Sequence, residues 1–108
     1  MAIPYIVVVV TAKDNKEATK IAQGLLEAKL IACANIISGV QSLFRWQGKI
    51  DSSKEVLLIL KTKKSLFKKV AARVRSLHSY QTPEIIALPI VNGTKDYLGW
   101  ISSSCESE

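Results

Sequence analysis

The sequence predicts one α+β domain, in which an antiparallel four-stranded sheet carries two helices on one face. Apolar, β-branched runs alternate with two amphipathic segments in the order βαββαβ, with a short element after the last strand. At 108 residues and 48% hydrophobic content, the chain is long and apolar enough for one continuous core. Residues 1–103 are therefore predicted to form a single domain, and residues 104–108 a flexible tail.

The first half of the chain predicts a strand, a helix and a second strand. Tyr5–Thr11 is β-branched almost throughout, as in strands that are buried on both faces. Asp14 followed by Glu17 has the spacing of a capping box, and apolar residues then recur at helical spacing. Cys33–Trp46 alternates as a long strand, and Ser38-Gly39 predicts a bulge within it.

The second half repeats the pattern. A turn at residues 48–53 leads into a third strand at residues 55–62, so that strands two and three form a hairpin. Ser65 is the predicted N-cap of a helix that runs to Leu77. The fourth strand, Ile85–Val91, contains Pro89, which lacks an amide hydrogen and predicts a position at the sheet edge.

This order is the split βαβ arrangement of ferredoxin-like folds. Two helices cover only one sheet face, whereas strands one, three and four are apolar on both, which leaves about eight apolar side chains uncovered. We expect copies of the same chain to cover them in a closed symmetric oligomer.

The charge balance is basic, with 15 Lys and Arg against 9 Asp and Glu. Such a surface is either simply solvated or attracts anions. Specific recognition of nucleic acid by an RRM-like sheet is not expected, because Val7–Val10 and Val56–Leu60 contain no aromatic residue for base stacking. Ile37–Arg45 superficially resembles an acylphosphatase signature, but it leads into a hairpin rather than a helix N-terminus, so an enzymatic role is not expected.

The sequence also indicates a location. Tyr5–Val10 is far shorter than a membrane span of about 20 residues, and no basic leader precedes it. Cys33 and Cys105 lie far apart and show no disulfide or CxxC spacing. We expect a cytoplasmic protein that does not associate with membranes.

The polar stretch His78–Glu84 is the candidate chemical centre, because it places a His, a Tyr, a Gln and a Glu between a helix and an apolar strand. His78 could bind a soft or borderline metal, or it could form a hydrogen bond between subunits at a helix end.

Six segments, in order, resemble the CutA divalent-cation tolerance family over nearly the whole chain. They are Val9–Ala12, Leu30–Asn35, Ser42–Ile50, Glu55–Thr62, His78–Ile85 and Asp96–Trp100. The resemblance implies a compact homotrimer with the architecture of PII signalling proteins. It also implies copper binding, which some members are described as achieving through one cysteine and two adjacent histidines.

The expected copper ligands are only partly present. The corresponding positions hold Val10, Leu77 and His78, so we expect weak copper(II) binding centred on His78. Five further residues either line a cleft between subunits or have structural roles: Cys33, Trp46, Lys61, Tyr80 and Glu84. The expected function is that of a non-enzymatic, trimeric, CutA-like protein with an unknown protein partner. The alternative is a PII-like sensor that binds a small anion between subunits.

Overall fold

A computed structural model describes residues 4–106, and within them it confirms the predicted βαββαβ order with a C-terminal helix. The elements are β1 (Tyr5–Ala12), α1 (Asn15–Glu27), β2 (Cys33–Trp46), β3 (Lys49–Lys63), α2 (Phe67–Leu77), β4 (Ile85–Pro89) and α3 (Lys95–Ser104).

The sheet has the strand order β2-β3-β1-β4, and every neighbouring pair is antiparallel. The predicted edge position of the proline-containing strand is confirmed, since β4 pairs only with β1. The strand ends at Pro89 rather than at Val91 as predicted, at the residue that has no amide hydrogen for the ladder.

The hairpin of β2 and β3 is longer than predicted. Trp46 pairs with Lys49, so the turn contains only Gln47 and Gly48, with φ angles of 50° and 78°. Two consecutive residues with positive φ make a tight hairpin turn that keeps residues 49–53 in the strand. The predicted bulge is confirmed by the register shift between Ile37 and Val40.

Helices α1 and α2 cover one face of the sheet, on which alternate residues of β1 and β3 such as Val8, Val10, Leu58 and Leu60 are fully buried. The predicted cap of α1 is confirmed, because the Glu17 amide donates to Asp14 Oδ1 at 2.8 Å.

The predicted Ser65 cap of α2 is wrong. A 3-10 turn at Lys64–Leu66 precedes α2, which starts at Phe67 without a side-chain cap. The turn places Leu66 in the core with no exposed surface, so burial of this side chain fixes the start of the helix.

The prediction of a flexible tail from residue 104 is wrong for residues 104–106, whereas 107 and 108 lie outside the described residues. Helix α3 continues to Ser104, and Cys105, one turn beyond the buried Ile101, is only 8% exposed rather than solvent-facing. The Glu106 amide donates to Lys29 O at 2.8 Å, and its carboxylate pairs with Lys69 at 2.7 Å. The C-terminal segment therefore packs against the domain.

No helix within residues 4–106 covers the second face of the sheet, here called the open face. The strand registers place apolar side chains from all four strands on this face. They are Val7, Val9, Ile37, Val40, Phe44, Trp46, Leu57, Ile59, Ile86 and Leu88. Ile86 and Leu88 remain 50% and 53% exposed.

Two glycines provide a matched test of the bulge. Gly39 has φ +76°, Gly99 lies within α3, and a Cβ added at either residue meets no atom within 4 Å. We therefore expect Gly39→Ala to lower the free energy of unfolding by about 1 kcal/mol through backbone strain. Gly99→Ala should raise it by about 0.5–1 kcal/mol, because alanine favours the helix. Urea denaturation of both variants measures these changes, and equal effects would contradict a strained bulge.

Candidate functional site

His78 lies immediately after α2, where the chain leaves the helix towards β4. Its Nε2 lies 2.7 Å from Thr11 O, and its Nδ1 lies 3.1 Å from the Tyr80 amide nitrogen. Since a carbonyl only accepts and an amide only donates, the ring is the neutral tautomer with its proton on Nε2. Both nitrogens are therefore engaged within the chain, and the side chain has no exposed surface.

Glu17 holds the same loop from the other side. Its carboxylate accepts hydrogen bonds from the Lys13 amide at 3.1 Å and the Ser79 amide at 2.9 Å, and Oε1 lies 3.8 Å from His78 Nδ1. Burial raises the pKa of this carboxyl, but the hydrogen bonds from Ser79 and Lys13 outweigh burial and lower it overall. Glu17 thus joins the start of α1 to the segment after α2.

Tyr80 extends this cluster to the open face. Its hydroxyl donates to Glu55 Oε2 at 2.7 Å, and its ring centre lies 4.7 Å from that of His78. Burial, followed by the hydrogen bond to Glu55 and its negative charge, raises the pKa of Tyr80, so the phenol stays protonated and donates. Glu55 itself is only 8% exposed.

A second polar group occupies the other end of the open face. Lys61 Nζ donates to Asn35 Oδ1, and Cys33 Sγ lies 4.0 Å from the same oxygen. Cys33 is also the register partner of Lys61. Lys61 lies six positions after Glu55 on β3, which corresponds to about 20 Å of strand.

The predicted cleft residues therefore do not form one cleft within a chain. Cys33 and Lys61 lie together, Tyr80 lies at the other end of β3, and Trp46 is at the tip of the hairpin with 48% exposure. Glu84 is exposed just before β4.

The sequence did not predict the residues that hold these two polar groups together, which are Glu17, Glu55 and Asn35. Glu17 appears in the sequence only as a capping residue, and Glu55 only as the first residue of a strand. Asn35 and Glu55 are polar residues next to apolar residues in their strands. That pattern is the signal that could have indicated them as functional residues.

The residues of one chain do not fit a copper site centred on His78. Among residues 4–106, no three His, Cys, Asp or Glu side chains are arranged to hold a metal ion. The two nitrogens of His78 already have partners, and Lys61 places a positive charge beside Cys33. The expectation that His78 supplies a metal ligand therefore conflicts with its hydrogen bonds.

Comparison with known proteins identifies the family. The family model described as CutA1 divalent ion tolerance protein matches residues 6–104. The chain belongs to this family. The protein named "Protein CutA, chloroplastic" from Arabidopsis thaliana is 42% identical over 102 residues, which cover 94% of this chain and 56% of that protein. The "Divalent-cation tolerance protein CutA" of Thermus thermophilus is 44% identical over 95 residues, covering 88% and 92% of the two chains.

The fold agrees with that of solved CutA1 structures. The crystal structure of CutA1 from Oryza sativa superposes with a TM-score of 0.95 at 39% identity, covering 98% of this chain and 97% of that one. No helix within residues 4–106 combines the length and the apolar character that crossing a membrane requires. Because the Arabidopsis CutA relative is named as chloroplastic, the cytoplasmic location stays a prediction.

The role of Glu17 can be tested against Glu27, an exposed carboxylate on the same helix. Glu17→Gln should lower the free energy of unfolding at pH 7 by about 1–3 kcal/mol, because a buried charged acceptor of two amides is lost. Glu27→Gln should change it by less than about 0.5 kcal/mol.

The effect of Glu17 should depend on pH in a defined direction. A lowered pKa in the folded state means that this stabilisation is complete above the ordinary pKa of 4.5 and is lost as pH falls through the folded value. Urea denaturation at neutral and acidic pH should therefore show the wild type and Glu17→Gln converging in acid. A difference that stays constant over the whole pH range would contradict a contribution from the charge.

Proposed function

We propose that this protein acts as a homotrimeric, non-enzymatic member of the CutA1 divalent ion tolerance family. The observation that carries the proposal is the open face, where half-exposed apolar side chains come from all four strands. This exposed apolar surface requires other copies of the chain to cover it. The number of three copies follows from the resemblance to the CutA family.

The charge pattern supports an assembly through this face. Along the middle of β1, β3 and β4 the face carries only aliphatic side chains, for example Val9 with its register partners Ile59 and Ile86. Burial of a fully exposed side chain of this size contributes about 1.5–3 kcal/mol, and half-exposed ones contribute proportionally less. Eight aliphatic and two aromatic side chains per chain contribute to this apolar surface.

A non-enzymatic role is supported by the positions of the reactive side chains. His78 uses both ring nitrogens in hydrogen bonds, so neither is free to act as a general base. Cys33 lies beside Lys61, at the opposite end of β3 from Glu55 and Tyr80. Among residues 4–106, the Cys33 thiol and the His78 imidazole are therefore not brought together as nucleophile and base.

One observation favours the alternative, a small anion bound between subunits. Lys61 is a half-buried cation on the open face, and its hydrogen-bond partner Asn35 is neutral. In an assembly this charge requires a carboxylate of a neighbouring copy or a bound anion.

The assembly is tested by placing one charge on each side of the sheet. Ile86→Asp puts a carboxylate on the open face, whereas Leu26→Asp puts one on α1 at a side chain of similar exposure, 42% against 50%. In sedimentation equilibrium, wild type and Leu26→Asp should have three times the chain mass of 11.9 kDa, while Ile86→Asp dissociates.

A wild-type mass of 11.9 kDa would rule out the proposed assembly. Dissociation of Leu26→Asp but not of Ile86→Asp would instead place the interface on the helix layer.

Copper(II) should bind weakly and without a contribution from His78. Calorimetric titration of wild type and His78→Gln at pH 7 should give the same weak isotherm, because the ring is already engaged by Thr11 and Tyr80. His78→Gln should still lower the melting temperature, since it cannot preserve both hydrogen bonds in the same geometry. Tight binding of one copper per chain that disappears in His78→Gln would contradict this account.

A further inference from the structure

A groove of about 740 Å³ separates the outer surfaces of α1 and α2. We propose that this groove binds a polyphosphate anion. Its volume lies within the range of small-molecule sites, about 300–1,000 Å³. The lining is complete within one chain and consists of Asn15, Lys16, Thr19, Lys20, Gln23, Gly24, Glu27, Arg73 and Leu77.

The floor of the groove depends on Gly24. A Cβ added there would lie 2.8 Å from Leu77 Cδ1, so the missing side chain allows the end of α2 to pack directly against α1. The same position lies 3.8 Å from Arg73 Nε and 3.9 Å from Nη2. The guanidinium therefore lies over the floor of the groove, while the Arg73 side chain stays exposed to solvent.

Three cations and one carboxylate, that of Glu27, line this groove, so its net charge is positive. Lys16 and Lys20 are one helical turn apart on α1, and Arg73 faces them from α2. Within residues 4–106, none of the three forms an ion pair. Like charges four residues apart destabilise a helix, so the arrangement has a cost that a bound anion would relieve.

The arrangement selects the class of anion. Side chains one turn apart have Cβ atoms about 5–6 Å from each other, so Lys16 and Lys20 can contact successive phosphoryl groups while Arg73 binds one of them in a forked geometry. Asn15, Thr19 and Gln23 add polar groups along the neighbouring row of α1. The lining contains no aromatic residue on which a nucleobase could stack, which favours recognition of the phosphate chain alone.

The position of the groove keeps it accessible. The groove lies on the helix layer, on the opposite side of the sheet from the open face, so the site does not rest on the proposed trimer. The exposed residues of the two helices include Lys68 and Arg75 as well, which adds an attractive field for anions.

The test is a calorimetric titration with inorganic tripolyphosphate at about 0.05 M salt, where exposed charges are least screened. The groove variant is Lys16→Gln/Lys20→Gln/Arg73→Gln. The control variant, Lys68→Gln/Arg75→Gln/Lys95→Gln, removes the same number and types of charge from exposed positions outside the groove. Both variants are first checked for wild-type melting temperature and oligomer mass.

We expect the groove variant to lose at least about tenfold in affinity for tripolyphosphate, and the control variant less than about threefold. ATP should bind as tightly as tripolyphosphate, because the base has no stacking partner. Equal losses in both variants would reduce the effect to net charge and overturn the proposal, as would the absence of wild-type binding. A preference of more than about tenfold for ATP would overturn recognition of the phosphate chain alone.

Lys61→Gln separates this site from the alternative anion site between subunits. Tripolyphosphate binding should be unchanged in this variant. If Lys61→Gln abolishes binding and the groove variant does not, the anion binds at the open face and the groove proposal is wrong.

Discussion

The uncovered second face of the sheet is the constraint on which the rest of this structure depends. Alternating residues of β1 and β3 supply apolar side chains to both faces, but α1 and α2 can cover only one. The helix-covered face contains fully buried side chains such as Val10 and Leu58, whereas Ile86 and Leu88 on the other face stay half exposed. One chain therefore completes only half of its apolar packing, and the proposed assembly supplies the remainder.

The uncovered face also explains the roles of the two polar groups, one around Glu55 and one around Lys61. Glu55 and Lys61 lie on the open face at opposite ends of one strand, about 20 Å apart. Within a chain each has a neutral hydrogen-bond partner, Tyr80 for the carboxylate and Asn35 for the ammonium. Burial of these charges between copies requires an opposite charge in addition to these neutral partners, because an unpaired buried charge strongly destabilises an interface. The polar cluster around His78 holds Tyr80 in place, and the Tyr80 hydroxyl donates to Glu55.

Much of this fold is readable from the sequence because local signals and the overall pattern agree. The types of the successive elements, the bulge at Gly39, the cap at Asp14 and the edge position of Pro89 each have a short-range cause in side-chain periodicity, backbone geometry or hydrogen bonding. The errors occur where distant contacts override local signals. The residues around Cys105 are polar and predict a tail, yet Cys105 packs near Thr62, 43 residues earlier in the chain. The candidate site was predicted least well. His78 bonds to Thr11 O, 67 residues earlier in the chain, and no local sequence pattern predicts that contact.

Side-chain labelling by hydroxyl radicals in solution, read out by mass spectrometry, tests the central claim most directly. Leu26 on α1 and Ile86 and Leu88 on the open face have similar exposure in one chain, at 42%, 50% and 53%. A covered open face predicts strong labelling of Leu26 and marked protection of both β4 residues. Equal labelling of all three would show that the open face stays in contact with water, and would contradict the account.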